Sequence, residues 1–448
     1  MIELSGHVDD APARLASLRT ASGDAAVLFS FDHLQYYLQH QATIRLHALC
    51  HLDYQSGDLH CLITNDPAIS QLVQAQGHIG CEEMNAIGRT LDANVINLRE
   101  ALPLETLRIP KPWGAEVWYT GIESRGVCRV GTTPLPWILA LAGDLMHGPA
   151  DPKPVLLKIL DPLPDELYGD LYFEMHAQKI EVYVVTGIDQ RAWPDGTGAI
   201  RFGFDSGQLE RFNSRTEFLD AYLHKVNEYR ELRVAIDSML DAIRAREGIE
   251  DDAVVSPETI ERWKSEIDPD LCTREQTALT EMNEFTAIKP LEVGDVVRVP
   301  NFTPHALQHG VRVVEFQTPH YERYILSFAQ KVLTQGHWDT AEALDKVNWD
   351  AVFDQTLPTL AHTETFLVEQ VADFDAFEVR RIRLRPAASL DIDIDTYSVV
   401  MVIDGYARVN GVDVQPEGAV LVPHCARQLS LATNTSEALI LLAIARSG

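Results

Sequence analysis

The 448-residue sequence is poor in cysteine and lacks any paired spacing of it: Cys50, Cys61, Cys81, Cys128, Cys272 and Cys425 are scattered, with no CxxC. That pattern excludes a disulfide-dense secreted scaffold, and a reducing compartment is the simpler reading. No apolar run approaches the ~18 residues of a membrane span. The opening MIELSGHVDDAPARLAS has neither a basic start nor an apolar core, so it does not read as a secretory signal. A cytoplasmic protein without a membrane partner is expected. Positive charge is scarce: 37 Lys and Arg stand against 66 Asp and Glu, a formal net charge of −29. Such a field repels nucleic acid, and an anionic ligand needs a local basic pocket to overcome it.

What is present is enough apolar material, 46 % of residues, in a chain longer than the ~250–300 residues at which single cores stop growing. Two or three domains are therefore expected. Residues 1–105 mix helix-like and strand-like segments and read as an α/β extension of unknown role. The punctuation RIPKPWG then introduces short strand candidates: EVWYTG, GVCRVG, KPVLLKIL, LYFEMH and EVYVVTG. Short strands at regular spacing suggest a sandwich or barrel. Leu219, Tyr222, Leu223, Val226, Tyr229, Ile236, Leu240 and Ile243 recur at helical spacing, with Ser214 placed to cap. A second helical start is SPETIERW, where Pro257 takes the first helical position. These segments read as a helical insertion over 215–288, which divides one β domain into 106–214 and 289–345. A second β domain is expected over 365–448, where Asn410-Gly411 marks a hairpin.

The stretch YFEMHAQKIEVYVVTG concentrates the chemistry. Period-2 geometry puts Glu174, His176 and Gln178 on one strand face, and a local turn is needed to bring Lys179 and Glu181 to them. An imidazole and a carboxylate on stiff strands suit a metal that takes a further ligand from elsewhere. GDVVRVPNFTPHAL supplies His305 after a strand and a Pro-bounded turn. Any one of these histidines, alone, reads more simply as structural. Other polar clusters rank lower. Cys50, His51, His60 and Cys61 match no common zinc spacing, and His424 has no partner motif upstream.

HAQKIEVYVVTG followed by GDVVRVPNFTPHAL resembles the two signature motifs of cupins, and more closely the zinc-dependent mannose-6-phosphate isomerases of the type I-like family. KPWGAEVW, KPVLLKILD and VRVVEFQTPHYERYILSF extend the resemblance over roughly 106–345. It implies a mainly β fold with two cupin (double-stranded β-helix, or jelly-roll) domains, the C-terminal one free of metal and left for packing or dimerisation; a homodimer is the candidate assembly. It implies one divalent ion held by Glu174, His176, Glu181 and His305, with Gln178 as the reserve ligand. Zinc is the metal so implied. Glu174 stands where the family has Gln, and two carboxylates leave room for a harder ion such as Mn or Fe. Lys179 takes the place of a proton-transfer lysine, its pKa expected to be lowered by desolvation beside the cation, and Arg323 that of an arginine at the sugar face. The implied activity is aldose–ketose isomerisation of mannose 6-phosphate or a related sugar. Two rivals use the same scaffold: an Fe(II) dioxygenase, and a non-catalytic sugar-binding or regulatory cupin.

Overall fold

The computed structural model describes residues 2–5, 25–35, 42–123, 126–147, 153–165, 171–250, 253, 255–327, 337–434 and 436–446. The chain is mainly β, and its described residues divide into two units: those within 1–107, 118–158 and 356–448, and those within 108–117 and 159–355. Among the described residues no helix is long and apolar enough to cross a membrane.

The unit built on 159–355 carries the polar stretch. Its strands, in chain order, are β1 Leu107–Lys111, β2 Gly114–Trp118, β3 Leu156–Pro162, β4 Phe173–Met175, β5 Glu181–Ile188, β6 Gly198–Phe204, β7 Thr286–Leu291, β8 Val296–Val299, β9 His305–Leu307, β10 Val311–Gln317 and β11 Tyr324–Ser327. One sheet has the order β8-β5-β10-β3-β2-β1, the other β7-β6-β9-β4-β11. Tyr183, Val185, Val297 and Val313 from the first sheet pack with Ile200, Phe202, Leu291 and Leu307 from the second, so the two sheets enclose a common apolar interior.

After a single short turn of helix at Ser206–Leu209, three longer helices interrupt the second sheet between β6 and β7: α1 Arg215–Arg246, α2 Pro257–Lys264 and α3 Pro269–Asn283. Each start carries its own signal. Ser214, Ser256 and Asp268 accept from backbone N–H groups of the first turns, and Pro257 and Pro269 occupy first-turn positions. Phe218, Tyr222, Val226 and Tyr229 of α1 are buried against Phe173 and Met175 of β4, Ala306 of β9 and Leu326 of β11. Each such side chain contributes about 1.5–3 kcal/mol when fully buried. The consequence for β4 is directional: Phe173 and Met175 face the helices, so Glu174 between them faces the sandwich interior. By the same alternation Ala306 faces the helices, and His305 and Leu307 face inward.

The other unit holds a five-stranded sheet, in order Ile2–Ser5, Ala25–Leu34, Thr43–Leu52, Leu59–Thr64 and Val95–Asn97, with helices Ala68–Gln74 and Cys81–Leu91. Ile69, Val73, Met84 and Ile87 of the helices pack on Leu28, Leu49 and Leu62 of the strands. Besides two two-stranded sheets, it holds a seven-stranded and a four-stranded sheet sharing one core, with Val400, Ile440 and Leu442 against Val409, Leu429 and Leu431. The hairpin joining Ala407–Val409 to Val412–Val414 turns at Asn410 (φ 44°) and Gly411 (φ 85°). Two positive φ values are what a two-residue type I′ loop requires.

Candidate metal centre

Register brings the first two groups together. Glu174 of β4 pairs directly with His305 of β9, so two inward-facing side chains from distant parts of the chain share one spot. β4 ends at Met175, and the chain then turns. Glu322 fixes this turn: its Oε1 accepts from the Gln178 N–H at 2.5 Å and the Lys179 N–H at 3.0 Å. The turn carries His176 and Lys179 inward, both buried, and leaves Gln178 exposed. β5 then opens on Glu181, which is fully buried.

The donor atoms converge. One ligating atom each of Glu174, His176 and His305 lies within 4.8 Å of the others. His176 Nε2 is 3.6 Å from both Glu174 Oε1 and Glu181 Oε1, and His305 Nε2 is 2.7 Å from Glu181 Oε1. Donors sharing one ion at bond lengths of 2.0–2.2 Å stand about 3.3–3.6 Å apart at tetrahedral angles. The two imidazoles are oriented from behind. His176 Nδ1 is 2.7 Å from the Glu322 carbonyl and His305 Nδ1 is 3.0 Å from the Thr303 carbonyl. Each Nδ1–H donates to a carbonyl, which turns Nε2 toward the cluster.

These residues fit a metal on chemistry visible here. His176 Nε2 is buried without a hydrogen-bond partner, and both Glu181 oxygens make ion-pair contacts that lack hydrogen-bond geometry. A native interior seldom leaves such groups unsatisfied unless an ion or water completes them.

The electrostatics follow from burial against close charges. Burial and the Lys179 charge lower His176 despite Glu181 and Glu174, so its imidazole is neutral, the ligating form. Burial by itself raises a carboxyl. At Glu174 it is outweighed by Arg323, then by His176 and Lys179, which hold this carboxyl well below its usual range. Glu181 is held low too, its burial outweighed by Lys179, His305 and His176. His305 is raised, because Glu181 and Glu174 outweigh its burial. Lys179 departs from the sequence expectation. Burial lowers it, but Glu181, Glu315 and Glu174 together raise it above its ordinary value. Its Nζ is 2.6 Å from Glu181 Oε2 and 3.9 Å from Glu315 Oε1.

Arg323 precedes β11, and its Nη1 donates to Glu174 Oε2 at 3.3 Å. Sequence reasoning passed over Tyr183, Glu315, Glu322 and Thr303. Tyr183 shares the face of Glu181 two residues on, and its hydroxyl is 3.2 Å from His305 Nε2; the signal was the same alternation used for Glu174. Burial, with Glu181, Glu315 and Glu174 nearby, pushes the Tyr183 phenol up, so it keeps its proton. Glu315 is opposite Tyr183 in the β5–β10 ladder, a pairing only the register reveals. In the other unit, Cys50 pairs with Cys61 and His51 with His60 across adjacent strands. The two pairs point to opposite faces, so the four do not share a ligand sphere.

No protein-family model matches this sequence, and no curated protein sequence matches it. Solved structures do. The mannose 6-phosphate isomerase from Bacillus subtilis is similar with a TM-score of 0.52 and 14 % identity, over 77 % of this chain and 99 % of that one. The apo mannose 6-phosphate isomerase from Salmonella typhimurium gives 0.53 and 12 %, over 78 % and 99 %. A zinc-bound mannose 6-phosphate isomerase gives 0.53 and 12 %, over 78 % and 100 %. At these identities the likeness establishes the fold: this chain has the mainly β fold of those isomerases.

Proposed function

We propose that this chain is a cytoplasmic, metal-dependent aldose–ketose isomerase of the cupin superfamily, acting on mannose 6-phosphate or a related sugar. The observation that carries the reading is the convergence of Glu174, His176, Glu181 and His305 beside a buried Lys179, on a fold similar to that of solved isomerases. Residues 106–214 and 289–345 then form the catalytic domain, interrupted by the helices of 215–288, and 365–448 is a second, metal-free β domain.

Glu174, His176, Glu181 and His305 would hold the ion. A bound divalent ion, zinc or a harder Mn or Fe, supplies Lewis-acid stabilisation of negative charge on the sugar oxygens. The reaction moves a proton between neighbouring carbons through a cis-enediolate. Lys179 holds its proton at Nζ while Glu181 and Glu315 face it. With Glu181 serving as a ligand, its charge would be shared with the ion, and Lys179 would be held less tightly as the group placed to move the proton. Tyr183 keeps its phenolic proton and can donate it as a hydrogen bond at the same spot. Buried strands on both sides exclude water from the pair.

The test is metal analysis of the purified chain, then a panel of aldoses and ketoses, with and without phosphate, scored by exchange of a carbon-bound proton with solvent. Exchange that requires a divalent ion supports the isomerase. Absence of exchange with every sugar and every ion sinks it. Oxygen consumption by iron-loaded protein, without sugar interconversion, would favour the dioxygenase instead.

A further inference from the structure

We infer that Gln317 is a substrate-binding residue of this centre: its side-chain oxygen accepts a hydrogen bond from a hydroxyl of the sugar. The inference rests on the isomerase reading above and adds to it a point of substrate recognition.

Gln317 is the last residue of β10 and is 1 % exposed. It is directly opposite Glu181 in the β5–β10 ladder, as Glu315 is opposite Tyr183. Opposed residues of an antiparallel pair share a face. Tyr183 and Val185 of β5 and Val313 of β10 face the sandwich interior, so alternation brings Glu181, Glu315 and Gln317 to that face too. Gln317 is thus the neighbour of a candidate ligand, whereas Gln178, the amide favoured by strand periodicity, is exposed. Its hydrogen bonds fix which end of the amide is available. Nε2 donates to the Thr318 carbonyl at 3.1 Å and to the His320 carbonyl at 3.3 Å. Two carbonyl acceptors hold the nitrogen on that side, because a flip would set oxygen against oxygen. Oε1 is left buried and without a hydrogen-bond partner.

The other polar groups of this face answer one another within the centre. Glu181 meets Lys179 and His305, Glu315 faces Lys179, and the Tyr183 hydroxyl reaches His305. Gln317 alone among these four presents an acceptor that none of those contacts uses. A buried acceptor without a donor costs free energy, and a ligand that brings the donor removes that cost. A carboxylate or keto oxygen has no proton to give. A sugar hydroxyl donates to Oε1 and still accepts from a second partner. The choice of an amide follows from the register: it supplies the acceptor without setting a like charge directly opposite Glu181. A site that pairs a substrate hydroxyl in this way rejects the analogue lacking it, since the buried oxygen then stays unpaired.

The experiment uses the full-length, zinc-loaded chain, with metal content measured first, and mannitol as the probe, a polyol with no carbonyl to isomerise. Calorimetry compares mannitol with its monodeoxy analogues in wild type and in Gln317→Met, which keeps the side chain's size and removes the amide. Wild type should bind mannitol and disfavour one deoxy analogue by about tenfold or more. Gln317→Met should retain zinc, bind mannitol about tenfold or more weakly, and no longer distinguish that analogue. An amide with a merely structural role would weaken every polyol alike and leave the discrimination intact, and that result overturns the inference. So do mannitol binding unchanged in the variant, loss of zinc from it, which would make Gln317 a ligand, and absence of polyol binding by wild type. Failure of every sugar to exchange a proton strikes the isomerase reading, while polyol binding still decides the role of Gln317. If Gln317→Met does not fold, Gln317→Asn carries the same test, because it withdraws the amide oxygen by one methylene.

Discussion

Lys179→Met removes the ammonium that lets buried carboxylates coexist in the absence of an ion. Lys179 is 8 % exposed, Glu315 1 % and Glu181 0 %. Taking away one partner of a buried ion pair leaves the other charge uncompensated, at about 3–5 kcal/mol. For a unit in the 150–250-residue class, which the residues of 108–117 and 159–355 form, that is a fall in Tm of about 6–20 °C. Scanning calorimetry with a chelator present is the assay, because a divalent ion can substitute for Nζ as the counter-charge. The sign with pH follows from Glu181. In wild type its carboxyl is held well below 4.5, so its stabilising contribution is present above the unfolded value and lost as pH falls through the folded one. Without Lys179, burial governs and Glu181 takes up a proton more readily, so the deficit of the variant narrows as pH falls. It narrows at the alkaline end too, since Lys179 is raised above 10.5 and its contribution is lost as pH rises through that folded value. Adding Glu181→Gln to Lys179→Met should restore much of the loss, because the uncompensated charge is gone. The reasoning is refuted if the single variant loses less than about 1 kcal/mol, or if the double variant loses as much as the two singles together.

His305→Ala and Glu181→Ala should each reduce bound metal to background by elemental mass spectrometry, whereas Gln178→Ala, at an exposed position, should retain it; retention in the first two would mean the centre lies elsewhere. Tyr183→Phe deletes the hydroxyl that is 3.2 Å from His305 Nε2. It should cost the metal-free protein about 1 kcal/mol, yet bind metal at least as tightly, since that hydroxyl no longer competes for Nε2; weaker binding by titration would contradict this. Ser214→Ala removes the cap on Glu217 N–H at 3.1 Å. A loss of about 1 kcal/mol in urea unfolding is expected, with metal content unchanged.

Much of the site was legible because it obeys strand periodicity. Glu174 follows from alternation against apolar neighbours, His305 from its place after a strand and a Pro-bounded turn, and the helical insertion from its 3.6-residue spacing and capping signals. Alternation failed at Gln178, and the cause is local. β4 ends at Met175, and the two N–H groups bonded to Glu322 bend the chain, so a rule for extended backbone was carried past the end of the strand. Helix α1 buries Phe218 and Arg233 along with Tyr222, Val226, Tyr229, Ile236 and Ile243 of its pattern, while Leu219, Leu223 and Leu240 are half-buried. Arg233 is tolerated there because Asp237 and Glu275 pair with it at 2.9 and 3.4 Å. The direction of the Lys179 shift was not legible, since it takes Glu181, then Glu315 and Glu174, to outweigh burial, and the β5–β10 register is what places Glu315 near it.

The same register explains why the centre and the fold are hard to separate. Glu174 and His305 are partners in one antiparallel pair, so a one-residue slip of β4 would turn Glu174 toward the helices and bring Phe173 or Met175 into the cluster. Tight fixing of the turn before β9 guards against this. Phe302 sits in the left-handed region at φ 59°, uncommon for a bulky residue. Its N–H donates to the His176 carbonyl at 2.7 Å, its own carbonyl accepts from Asn348 at 2.8 Å, and its ring packs against the core under α1. Backbone of this kind costs of order 1–3 kcal/mol and persists only where its surroundings over-determine it. Here the surroundings include the residue that carries one imidazole, and the turn leads within three residues to the other. The strain is thus spent on the relative placement of His176 and His305, the pair any ion at this site must bridge.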